Sequence, residues 1–115
     1  MACAVRRQGE IALLDLDGRL MAGESLDQLR AAISRELTNG AREFILNLAQ
    51  VTMVDSSGIG GLIRNQSAVK AAGGRMKLVG TRENVRHSLK VTRLDRLFEF
   101  FDDEAAALAA IGSTK

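Results

Sequence analysis

Asp55-Ser56-Ser57-Gly58-Ile59-Gly60-Gly61 sets two hydroxyls and three glycines between an apolar run and an amphipathic stretch. Before it, Phe44-Ile45-Leu46-Asn47-Leu48 is almost unbroken in its apolar character, the pattern of a buried strand. After it, Ile59, Leu62, Ile63, Gln66 and Val69 fall on one helical stripe. The serines therefore stand at the start of a helix. Free backbone N–H groups and the positive end of the macrodipole favour an anion there, so a phosphate on either serine is well placed electrostatically. The plainer alternative is a helix cap, because Asp and Ser are preferred N-cap residues. A cap explains one residue. It does not explain Gly60 and Gly61 in the first turns, each costing about 1 kcal/mol relative to Ala. No Glu or Gln follows either serine by three positions to complete a capping box. Small residues here predict that another molecule's backbone comes close, and on the motif alone switch and cap both stay open.

Outward from the motif, Ala2 to Arg7 and Glu10 to Asp17 read as strands separated by Gly9, and Gly18 reads as a break. Ser25 to Leu37 forms a helix with Leu26, Leu29, Ile33 and Leu37 on one face, stopped by Asn39-Gly40. Gly73-Gly74 ends the central helix, and Met76 to Val79 is another strand. A short helix runs from Arg82 to about Lys90 with Thr81 as its cap, and Leu97 to Phe101 is a last, edge strand. Asp102-Asp103-Glu104 opens an Ala-rich helix ending near Ile111, acids at its positive end. This order predicts an α/β fold of about five strands and four helices, its sheet mostly parallel after an initial antiparallel pair. Sites in such folds collect beyond the carboxyl ends of strands, and the segment from Leu48 to Ser56 reads as a loop of that kind.

At 115 residues, without a Pro-rich linker or repeat, the chain fits one domain over residues 1–115. A hydrophobic content of 46% against 26% charged residues suits a chain that folds and dissolves. The net charge of +2 is too small for a bulk argument about nucleic acid. Cys3 stands alone and cannot form an internal disulfide, which fits a reducing compartment. No apolar run approaches the roughly 18 residues of a membrane span, and no signal-peptide order opens the chain. The expectation is a cytoplasmic protein without membrane insertion.

Val54-Asp55-Ser56-Ser57-Gly58-Ile59-Gly60, preceded by Ile45-Leu46-Asn47-Leu48 and followed by Gly73-Gly74-Arg75-Met76-Lys77-Leu78-Val79, resembles the STAS domain of bacterial anti-sigma factor antagonists. The similarity runs from about Ile11 to Ile111. It implies a partner switch: the unphosphorylated antagonist binds an anti-sigma factor of ATP-binding serine-kinase fold and frees a sigma factor. The kinase phosphorylates the serine after the motif Asp, here Ser56, and a serine phosphatase restores binding. By the same resemblance Asp55 shapes the loop, while Ser57 is the second choice as acceptor and the better cap. Gly58 and Gly60 let the partner approach, and Gly61 goes beyond the usual motif. The chain is then no enzyme and holds no cofactor or metal, since ATP and Mg²⁺ belong to the kinase. One departure stands out: family members with the switch often carry an acid at the end of Gly18-Arg19-Leu20-Met21, and Glu24 is the next acid along. The alternative is a STAS scaffold or transporter-associated subunit with another client and no switch at Ser56.

Other groups have structural readings. Arg82, Arg86, His87, Lys90, Arg93 and Arg96 form a basic segment without the interleaved aromatics of a nucleic-acid platform, so a solvated helix face is expected. Partner docking stays open for it. His87 has no nearby Cys to complete a metal site and reads as surface. Asp15 and Asp17 alternate with Leu14 and Leu16 as on a half-exposed strand. Phe98, Phe100 and Phe101 are expected in the core beneath the last helix. An enzyme using Asp55 as aspartyl acceptor needs further acids and a lysine around a metal, and the sequence offers no clear set.

Overall fold

The computed structural model describes residues 2–113. Strand β1 (Ala2–Gln8) pairs antiparallel with β2 (Ile11–Leu20) across a turn in which Gly9 has φ 59°. Helix α1 (Glu24–Thr38) leads to β3 (Glu43–Val54), α2 (Ser56–Ala71), β4 (Arg75–Val79) and α3 (Glu83–Val91). A 3-10 turn, Asp95–Leu97, precedes β5 (Glu99–Phe101) and α4 (Glu104–Ser113). The strands lie in chain order β1-β2-β3-β4-β5, with every pair after the first parallel. The α/β expectation of five strands and four helices is met.

Side-chain alternation divides the core between the two faces of the sheet. Leu14, Phe44, Leu46 and Leu78 point to the face covered by α1, α2 and α3, where Leu29, Ile33, Leu62, Val69, Val85 and Leu89 meet them. Leu13, Ile45 and Val79 point to the other face, under Ala107 and Ile111 of α4. Lys77 shares that second face and is only 1% exposed, its Nζ 3.5 Å from a Glu99 carboxylate oxygen.

Four expectations need correction. Gly18 does not end β2; with φ 105° it sits at a register irregularity, and the strand continues to Leu20. The segment from Leu48 to Ser56 is not a loop, because β3 runs on to Val54, pairing Val51 with Gly18 and Val54 with Leu20. The N-cap of α3 is Arg82 rather than Thr81, whose buried Oγ1 has no hydrogen-bond partner among the described residues. Phe98 and Phe100 pack into the α1–α3 side of the core, and only Phe101 lies against the α4 cluster. The parity of β5 explains this: neighbouring residues of a strand face opposite sides.

Candidate functional site

The extension of β3 decides where the serines stand. Val54 pairs with Leu20, the Asp55 N–H reaches the Leu20 carbonyl at 3.4 Å, and the chain turns directly into α2. Asp55 is extended (φ −88°, ψ −177°) and its Oδ1 accepts from the Gly58 N–H at 2.8 Å. Asp55 is therefore the N-cap, a role expected of Ser57. Ser56 and Ser57 are released from capping, and both are exposed. Neither hydroxyl has a hydrogen-bond partner among the described residues.

The three glycines do different work. A Cβ on Gly58 would land on the Leu20 carbonyl oxygen, so this glycine is small because β2 crosses it, not because a partner must approach. A Cβ on Gly61 would stand 2.5 Å from Leu26 Cδ2, which makes that glycine part of the α1–α2 contact. Gly60 alone opens outward, with only Arg64 Nη1 near, 3.2 Å from the Cβ position.

Between α1 and α2 lies a cleft of about 440 Å³. Ser56, Ser57, Gly60 and Arg64 line one side, Asp27 and Arg30 the other. The buried Asn65 donates from Nδ2 to the Gly61 carbonyl at 2.8 Å and stiffens the α2 wall. The acid missing after β2 is not replaced by Glu24, whose carboxylate accepts from Gln28 Nε2 at 3.0 Å. Met21 is fixed by Ser25, whose Oγ accepts from the Met21 N–H at 3.0 Å and donates to the Met21 carbonyl at 2.6 Å. The carboxylate that does line the cleft is Asp27. Sequence reasoning missed Asp27, Arg30 and Arg64. Arg64 stands two turns beyond Ser56, a spacing that signals one helix face, but Arg30 is brought in only by tertiary packing.

The basic segment is partly committed elsewhere. Arg82 Nε donates to the Ala49 carbonyl at 2.9 Å, and Asn84 Nδ2 to that of Thr52 at 3.0 Å, pinning the start of α3 to the end of β3. Arg86 lies over the Phe100 ring at 4.6 Å. His87, Lys90, Arg93 and Arg96 are exposed. Asp15 is structural, held by Arg6 and by Asn47 Nδ2 at 3.2 Å, while Asp17 is exposed. Burial pushes the Cys3 thiol up, away from reactivity. Among the described residues no cluster of His, Cys, Asp and Glu could hold a metal, and no helix is long and apolar enough to cross a membrane.

An Asp-capped strand-to-helix corner with two exposed serines, on a mixed sheet in chain order, is what the fold presents at the head of α2. The STAS domain profile matches residues 2–107, and the chain belongs to the STAS domain family. Over 75 residues it is 31% identical to a Thermotoga neapolitana relative named for anti-sigma factor antagonism, spanning 65% of this chain and 66% of the relative. It is similar to the solved anti-sigma factor antagonist SpoIIAA in its unphosphorylated form, at 26% identity and TM-score 0.79, covering 96% of this chain and 97% of that one. The phosphorylated form, from Bacillus, matches in fold at 24% identity and TM-score 0.73 over 95% and 99%.

Proposed function

We propose that this chain is an anti-sigma factor antagonist switched by phosphorylation at Ser56. Unphosphorylated, it docks on an anti-sigma factor of serine-kinase fold through the start of α2, with Asp55, Ser57, Gly58, Gly60 and Gly61 forming the corner that meets the partner. Gly58 and Gly61 contribute by letting the corner pack tightly, and Gly60 by direct exposure. The kinase phosphorylates Ser56 and a serine phosphatase reverses it. The observation that carries this reading is the exposed, uncapped Ser56 hydroxyl beside an Asp55 carboxylate already engaged in the helix cap. A phosphate adds nearly two negative charges close to Asp55, and repulsion and desolvation both oppose docking. About 3 kcal/mol of such opposition lowers affinity more than a hundredfold.

The test is a quantitative pull-down from lysate of the source organism with the wild-type chain, Ser56→Ala and Ser56→Asp. The expected result is an ATP-binding, serine-kinase-like protein retained by wild type and Ser56→Ala and lost with Ser56→Asp. Equal capture of one client by all three chains overturns the switch. That outcome favours the second reading, a STAS scaffold with a different client, which draws on Met21 where switch-bearing relatives often carry an acid.

A further inference from the structure

We propose that a phosphate on Ser56 is held in cis by the guanidinium groups of Arg64 and Arg30, closing the cleft between α1 and α2; this rests on the reading of Ser56 as phosphoacceptor. Two observations carry it. Arg64 Nη1 lies 3.2 Å from the position a Gly60 Cβ would take, so the guanidinium folds back over the first turns of α2. Helical side chains lean toward the N-terminus, and four residues rise about 6 Å. The Arg64 head is thus about one turn from Ser56, a gap that a phosphoseryl group bridges. From the opposite wall Arg30 enters the same cleft. Among the described residues neither arginine has an ion-pair or hydrogen-bond partner. Elsewhere Arg6, Arg7 and Arg35 bind carboxylates, and Arg42 and Arg82 bind carbonyls.

The local charge balance points the same way. Asp27 is the one carboxylate lining the cleft, and Asp55 is turned into the helix cap. Two free guanidinium groups therefore face one acid, above the positive end of α2. Arginine pairs with phosphate through parallel N–H donors, so a phosphate shared by Arg30 and Arg64 links the α1 and α2 walls as it forms. Phosphorylation then removes from the partner both the Ser56 hydroxyl and the two arginine heads.

The experiment uses the full chain with phosphoserine installed at position 56 during synthesis, titrated by phosphorus NMR. Pairing with arginine favours the dianion, so the second ionisation of the phosphate falls below its usual pH of about 6. The expected result is a midpoint raised by about half a pH unit or more in Arg64→Gln, and by less in Arg30→Gln. Lys90→Gln on α3, outside the cleft, should leave the midpoint where it was, and Arg64→Lys should fall between. Equal midpoints for Arg64→Gln and Lys90→Gln overturn the proposal, provided thermal melts show both folded. The two readings fail separately. Equal midpoints with partner binding abolished by phosphoserine remove the clamp and leave the switch. Shifted midpoints with partner binding intact support the clamp and remove the switch.

Discussion

On the α4 face of the sheet, Arg6 donates to the two Asp15 carboxylate oxygens at 2.9 and 3.0 Å and also reaches Glu104 at the head of α4. On the opposite face, Arg30 and Arg64 look into the cleft beside Ser56 without a partner among the described residues. The hydrogen bonds that Arg6 donates to Glu104 and then to Asp15 raise its pKa, fixing a charge that already has its acids. The difference follows from what each helix can bury. Helix α4 is Ala-rich and sends only Ala107 and Ile111 deep into the core, so an ion-pair latch supplements weak packing. Helices α1 and α2 bring Leu29, Ile33, Leu62 and Val69 to theirs, and the cleft between them is held by no ion pair among the described residues. At α4 charge supplements thin packing, whereas at the cleft between α1 and α2 packed side chains beneath leave the charge available.

The hardest way to break this contrast is to disturb the packing beneath the cleft. Gly58→Ala drives a methyl into the Leu20 backbone, which cannot move without shifting β2 against β3. The expected loss is about 3 kcal/mol, read as a drop in denaturation midpoint at unchanged slope. Gly60→Ala meets only the mobile end of Arg64 and should gain about 0.5 kcal/mol from helix propensity. Similar losses at both positions would mean that the first turn of α2 is uniformly tight and the cleft is not an open surface.

A smaller effect tests the charges themselves. Arg6→Ala removes both arms of the α4 latch, and because the Arg6 side chain is 46% exposed the expected loss is only about 1 kcal/mol. Arg30→Ala and Arg64→Ala should each stay within about 0.5 kcal/mol of wild type. Hydrogen exchange of the α4 amides should quicken in Arg6→Ala alone. If Arg30→Ala costs as much as Arg6→Ala, the cleft arginines are structural and the contrast between the faces collapses.

These regions differed in how far the sequence revealed them. The strands of β3 and β4, the helix after Asp55 and the mixed sheet were legible because apolar alternation and glycine punctuation are local signals. The end of β3 was not. Gln50 and Thr52 break the apolar run, and only pairing with Asp17 to Leu20 across the irregularity at Gly18 keeps the strand going. The cap was misassigned for a similar reason: Asp55 and the serines are equally good caps by type, and the choice is made by how β3 delivers the chain. Gly58 and Gly61 read as room for a partner, whereas the atoms filling that room are Leu20 and Leu26, 38 and 35 residues earlier in the chain. The same long-range convergence hid Arg30 from any motif.

The finest test lies on α1 itself, which carries one paired and one unpaired basic contact. At its C-terminal end the buried Glu36 accepts from Arg7 Nη1 at 2.9 Å and from Arg35 Nε at 3.2 Å; two turns earlier Arg30 has no ion-pair partner among the described residues. The Arg7 hydrogen bond holds the Glu36 carboxyl below its usual range, against the opposing effect of burial. A carboxylate whose pKa is depressed by folding stabilises the native state above its unfolded value, about 4.3 for Glu, and that share is lost as pH falls through the folded value. Glu36→Gln should therefore be less stable than wild type at neutral pH, with the difference shrinking as pH drops below about 4.3. Unfolding free energies measured on both chains at neutral and acid pH give the comparison directly. A difference that stays constant with pH would show that Glu36 acts through packing alone, and the distinction between committed and uncommitted charge would then not hold along α1.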